Sequence, residues 1–179
     1  MIGKLRGGAT WAAIFLGTVG ALAAADRIPE RIAASRGELP IRYRSLADIE
    51  GALGVRLGYP FFFPERLEWP PAVLLGRRRP LQTYAEVRER GQPIEAPPTL
   101  VIRQWAGRGD HFHAAPCFVP AGGGRLALRG GRVANWVQGR DETGRAIYQA
   151  RVERGALVTE LTARLEWNEF RLMVESLEP

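Results

Sequence analysis

The chain has 179 residues, 46% of them hydrophobic, which suits one domain with its own core behind an N-terminal segment. The formal net charge of +6 is spread along the chain, so we do not expect nucleic acid as a partner. The single cysteine, Cys117, excludes an intramolecular disulfide and the zinc and iron–sulfur sites that need paired cysteines.

Residues 1–25 have the pattern of an export signal or a signal-anchor. Lys4 and Arg6 precede Ala9–Ala25, a stretch without charged residues that ends in small side chains. As a helix it would span roughly 26 Å, slightly less than the about 30 Å of a bilayer core, which favours a cleaved signal. Trp11, near the cytoplasmic edge, favours a retained anchor. Our leading interpretation is a transmembrane segment in a bacterial cytoplasmic membrane, with the N-terminus inside and the domain in the periplasm or at the cell exterior.

A charged stalk over residues 26–44 leads to an extracytoplasmic domain over 45–179. Ser45 is a suitable N-cap for a short helix that ends at Gly54. Its predicted apolar stripe consists of Leu46, Ile49 and Leu53. The aromatic run Phe61–Phe63 follows between prolines, which predicts an edge strand or an extended loop.

The second half of the chain has the pattern of an antiparallel meander. The polar stretch Tyr84–Pro98 predicts a loop around a short helix, and Gly122–Gly124 predicts a flexible hairpin loop. The predicted strands are Thr99–Trp105, Arg125–Leu128, Arg132–Gln138, Ala146–Glu153 and Leu157–Arg164. A closing helix over 167–177 would bury Phe170, Met173, Val174 and Leu177. We therefore predict an α+β fold, a curved antiparallel sheet of four to six strands with one or two helices on one face.

Two stretches resemble a known group of exported domains. The run Leu57-Gly58-Tyr59-Pro60-Phe61-Phe62-Phe63-Pro64-Glu65-Arg66-Leu67 is similar to the opening of the DUF4367 group. The stretch from Leu165 to Leu177 is similar to its closing helix. The resemblance covers about residues 45–178. It implies the extracytoplasmic domain of a membrane-bound anti-sigma factor, with a fold similar to lipoprotein carriers and no catalytic residues. Only eight residues precede the predicted membrane segment, so we expect no cytoplasmic sigma-binding part.

One cluster has side chains suited to metal binding. His111, His113 and Cys117 offer imidazole and thiolate ligands for copper or zinc, and the two histidines would share a side in an extended segment. The alternative is a polar loop in which the cysteine is a small buried apolar side chain. We assign no cofactor to the chain.

Other candidate residues point to binding rather than to chemistry. Arg77, Arg78 and Arg79 can meet anionic headgroups or an acidic partner, or lie in a solvated loop. Rings of Phe61, Phe63 and Trp69 either form an exposed patch or pack into the core. Trp11 would contact lipid.

Nothing in the sequence favours an enzyme. Neither Gly-x-Ser-x-Gly nor His-Glu-x-x-His occurs, and the carboxylates are scattered singly. The leading interpretation is a non-catalytic, membrane-anchored accessory subunit that docks on a larger integral-membrane complex, respiratory or photosynthetic for example. The alternatives are a lipid- or small-apolar-ligand-binding module and an exported metal protein.

Overall fold

The computed structural model describes residues 39–107 and 119–177, which form two helices, one 3-10 turn and eight strands. All of these elements belong to one unit that begins at Pro40. In chain order they are β1 (Ile41–Arg42), α1 (Leu46–Leu53), β2 (Val73–Arg78), β3 (Leu81–Val87), β4 (Leu100–Ala106), β5 (Val119–Ala127), the 3-10 turn Arg129–Gly131, β6 (Val133–Arg140), β7 (Ala146–Arg154), β8 (Leu157–Ala163) and α2 (Trp167–Glu175).

The strands form one open antiparallel sheet in the order β1-β2-β3-β4-β8-β7-β6-β5. The α+β class is confirmed, but eight strands exceed the predicted four to six. The difference comes mainly from β2 and β3, a hairpin joined at Arg78 and Leu81. The predicted loop over Tyr84–Pro98 is wrong in its first part, because Tyr84 to Val87 complete β3.

Both helices cover the same face of the sheet. In α1, Ile49 lies against Gly76 of β2, and in α2 the ring of Phe170 stacks on Tyr148 of β7 at 5.3 Å. Cross-strand pairs run from Gly76 to Val152 by way of Thr83, Gln104 and Thr159, so these residues lie on one face of the sheet. Tyr148 lies on the same face, because it is four residues from Val152 in β7. The helices therefore share one core, and the prediction of helices on one face is confirmed.

Local sequence explains both helices. Ser45 accepts a hydrogen bond from the Asp48 amide at 3.1 Å, and Gly54 ends α1 with a left-handed φ of 70°. Glu166 and Glu169 form a capping box at the start of α2. The predicted apolar face of the closing helix is confirmed, since Phe170, Met173, Val174 and Leu177 are all buried.

One end of the sheet collects several turns, and we name it the Pro40 end. The chain enters there, because Ile41 pairs with Gly76 near the end of β2. The β2–β3 turn, Gly107 after β4, and the turns that join β7 to β8 and β5 to β6 lie at the same end. The end of α2 lies there too, since Arg132 beside the β5–β6 turn donates to the Leu177 carbonyl at 3.1 Å.

Neither helix within residues 39–107 and 119–177 is long and apolar enough to span a membrane. The predicted membrane segment, residues 9–25, lies outside the described residues, as do Trp11 and most of the stalk.

Candidate functional site

Two phenylalanines are held in an exposed position at the end of α2. Pro60 bridges to Leu177, and the amides of Phe61 and Phe62 donate to the carbonyl and the hydroxyl of Ser176, at 3.3 and 3.0 Å. The Ser176 hydroxyl in turn donates to the Met173 carbonyl at 2.8 Å. The aromatic loop is thus anchored by its backbone, while its first two rings remain free to contact a partner.

The exposed rings form what we name the phenylalanine surface, defined by Phe61 and Phe62, which are 67% and 38% exposed. On α2, Leu172 is also exposed, at 42%. Two large apolar side chains exposed next to each other in the chain are typical of an interaction surface.

The other predicted aromatic candidates lie inward. Phe63 stacks on Trp69 with ring centroids 4.3 Å apart, and Tyr59 lies against the same indole at 5.5 Å. All three rings are half-buried against the core. Of the aromatic partner candidates in the described residues, the structure therefore exposes Phe61, and it adds Phe62. Sequence reasoning missed Phe62, because the hydrogen bond between the loop and Ser176 that positions this residue has no sequence signature.

The three consecutive arginines do not share one environment. Arg77 and Arg78 close β2 and point to opposite faces of the sheet, and Arg79 lies in the turn to β3. Arg78 and Arg79 are exposed, whereas Arg77 is half-buried and donates to the amide oxygen of Gln82. All three lie at the Pro40 end.

A groove of about 480 Å³ lies over β2, β3 and β4, mainly on the sheet face opposite the helices, which we name the far face. Two cross-strand rows of the far face line it, one with Leu75, Tyr84 and Arg103 and one with Arg77, Gln82 and Trp105. Leu75, Tyr84 and Trp105 are half-buried and supply apolar surface.

Charged and aromatic groups alternate beside this groove. The Arg103 guanidinium lies 5.7 Å from the centre of the Tyr84 ring and 3.7 Å from the Glu160 carboxylate. The Arg151 guanidinium lies at the same distance, 5.7 Å, from the Trp105 ring. Burial, with a hydrogen bond to Glu86, raises the pKa of Tyr84 to about 12, so the phenol stays neutral at physiological pH.

A second groove contains a carboxylate whose hydrogen bonds stabilise a turn. Asp141 accepts hydrogen bonds from Thr143, from the Arg145 amide and from Arg164. These bonds, that from the Thr143 side chain most of all, hold the pKa of Asp141 far below its usual range. A permanently ionised, fully engaged carboxylate is poorly suited to transfer protons near neutral pH.

The predicted metal ligands His111, His113 and Cys117 lie outside the described residues. Within residues 39–107 and 119–177, no group of three or more histidine, cysteine or acidic side chains is placed to hold a metal ion.

No family model, curated protein or solved structure matches this chain. The resemblance to DUF4367 domains therefore stays a prediction.

Proposed function

We propose that the chain is a non-catalytic accessory subunit, anchored by residues 9–25, that docks on a larger integral-membrane complex through the Pro40 end of its domain. One observation carries the proposal. The phenylalanine surface and the exposed Arg78 and Arg79 lie at the same end of the sheet at which the chain enters the domain.

The tether makes this arrangement effective. Residues 26–39 can reach at most roughly 50 Å when fully extended. A membrane anchor on such a linker keeps the domain close to any complex in the same bilayer and raises the effective concentration of the docking surface. A weak apolar contact then suffices for stable association.

The chemistry of the surface fits a protein partner. Interfaces are enriched in aromatic residues and arginine, and a few such side chains carry most of the binding free energy. Phe61 and Phe62 supply apolar rings on a backbone that hydrogen bonds to Ser176 already hold in place. Arg78 and Arg79 can meet acidic groups at the rim.

The core between the helices and the sheet does not support a ligand-binding site beneath the helices. Phe170, Met173 and Val174 of α2 are fully buried and pack against the sheet. They occupy the position that a lipid or small apolar ligand would need, so we do not extend the proposal to a ligand beneath the helices.

The test is copurification of the tagged full chain from solubilised membranes of its own source. We expect a stoichiometric integral-membrane complex with the wild type and at least tenfold lower recovery for the double variant Phe61→Ser, Phe62→Ser. Ile94→Ser is the matched control, because Ile94 is 75% exposed but lies in the β3–β4 connection, at the opposite end of the sheet. A monomer in the membrane-free fraction, or equal recovery for all three chains, would refute the proposal.

A further inference from the structure

The groove over β2, β3 and β4 is separate from the phenylalanine surface and has its own chemistry. We infer that it binds an amphipathic anion, an elongated apolar body such as an acyl chain that carries a single carboxylate or phosphate. Its volume of about 480 Å³ is in the range of small-molecule sites, about 300–1,000 Å³.

The apolar part of such a ligand has a matching floor. Leu75 and Tyr84 are direct cross-strand neighbours, and Trp105 lies in the next row, across β3 from Arg77. All three side chains are half-buried, so part of each apolar surface remains open to the groove. Covering that surface removes it from water, and this favours an apolar ligand over a fully hydrated one.

The charge of the groove selects an anion. Arg77 and Arg103 line it, and the twelve described lining residues include no carboxylate. The Arg77 side chain hydrogen-bonds to the neutral amide of Gln82, which leaves its positive charge uncompensated by that partner. Arg103 forms an ion pair at 3.7 Å with the buried Glu160, so the uncompensated positive charge of the groove lies mainly on Arg77. A carboxylate or phosphate oxygen can therefore accept charge-assisted hydrogen bonds at the rim.

The groove beside Asp141 differs from the far-face groove in the charge of its lining. Its lining combines three acidic residues with two arginines, and Asp141 and Arg164 already pair at 3.0 Å. Such a site carries one more negative than positive charge and would not favour an anion. The far-face groove differs in having positive charge beside apolar surface, which is the combination that an amphipathic anion requires.

Isothermal titration of the full chain in zwitterionic lipid nanodiscs tests the inference, with empty nanodiscs as the blank. The probe is octyl phosphate, and the comparison ligands are octyl glucoside and inorganic phosphate. We expect saturable one-site binding of octyl phosphate, and at least about tenfold weaker binding of either comparison ligand. Equal binding of octyl glucoside would mean an apolar groove without anion selectivity, and equal binding of inorganic phosphate would mean a plain anion site. Either result overturns the inference, as does the absence of saturable binding of octyl phosphate.

Neighbouring arginines provide a matched pair of variants. Arg77→Gln should weaken octyl phosphate binding at least about tenfold, whereas Arg78→Gln, one residue on and facing the other side, should leave it unchanged. Leu75→Trp fills the floor without changing charge and should also weaken binding. Thermal unfolding of each variant reports whether it is folded. Equal losses for Arg77→Gln and Arg78→Gln would show that net charge alone drives binding, which also overturns the inference. Because the titration contains no partner complex, its result is independent of the docking test.

Discussion

A methyl group added to Gly76 should loosen α1 from the sheet. A Cβ at this position would lie 2.7 Å from Cδ1 of Ile49 and 3.0 Å from both Cγ1 of Ile49 and Cε2 of Tyr43. Ile49 is completely buried in α1, so its side chain has little room to move away. Gly76→Ala therefore inserts a methyl group where the helix must approach the strand closely.

The expected magnitude follows from two opposing effects. Overpacking a filled core costs about 1–3 kcal/mol, while replacing glycine by alanine recovers about 0.4–1 kcal/mol through the unfolded state. We expect a net loss of about 1–2 kcal/mol in the free energy of unfolding. Ile49→Val alone should cost about 0.5–1.5 kcal/mol, but it removes Cδ1, the atom nearest to the new methyl group. In the Gly76→Ala background it should cost close to nothing.

Urea unfolding of the four chains in this double-mutant cycle measures the coupling, for which we expect about 0.5–1.5 kcal/mol. Gly51→Ala is the control, because Gly51 lies in the same helix and its added Cβ would meet no atom within 4 Å beyond its chain neighbours and its own helix backbone. It should stabilise the domain by about 0.5–1 kcal/mol. Additive effects of the Gly76 and Ile49 substitutions, or a destabilised Gly51→Ala, would contradict the geometry described above.

Two further predictions separate surface from core and fix a pH dependence. Phe63→Ala should lower the free energy of unfolding by about 1–3 kcal/mol, because it removes the stack on Trp69. Phe61→Ala should change the free energy of unfolding by less than about 0.5 kcal/mol, because Phe61 is exposed. Equal effects of the two substitutions in thermal unfolding would contradict this assignment. The pKa of Asp141 is lower folded than unfolded, so its contribution is present above about pH 4, the unfolded value, and is lost as pH falls through the folded pKa. Asp141→Asn should therefore destabilise the domain at pH 7 and flatten the acid side of its stability curve; parallel curves for both chains would argue against this linkage.

The sequence carried most of the information for the second half of the fold. Strands β7 and β8 alternate in apolar and polar residues, and α2 has its apolar residues at helical spacing, so the predicted strands and helix are present. The polar residues Gln149, Arg151 and Glu160 on the far face are nevertheless buried. The turn Asp141–Gly144 also has a local origin, since Asp and Gly favour turns, and the Gly144 amide donates to the Asp141 carbonyl at 2.9 Å. Here each element is specified by residues close in the chain.

The first half and the glycine run were harder to predict for a physical reason. Glu86 and Arg88 gave Tyr84–Pro98 a polar composition, yet Arg88 is buried, Glu86 is half-buried, and their side chains pair at 2.8 Å. The prediction of a flexible loop at Gly122–Gly124 is wrong, since these residues lie inside β5 and pair with β6. A Cβ on Gly123 would lie 2.6 Å from the Trp136 carbonyl oxygen, so this strand needs glycine for close approach. Long-range contacts of this kind leave no periodic signal.

The run Arg77–Arg79 shows how a strand divides a sequence motif between two roles. On composition alone, three adjacent arginines read as one basic patch, and a solvated loop would present them together. Placed at the end of β2, Arg77 faces the far-face groove and Arg78 faces the helix side, because side chains alternate along a strand. Arg77 therefore lines the groove, while Arg78 and Arg79 are exposed at the Pro40 end. Substitutions within this short run should therefore separate ligand binding from partner docking, although both depend on the same kind of side chain.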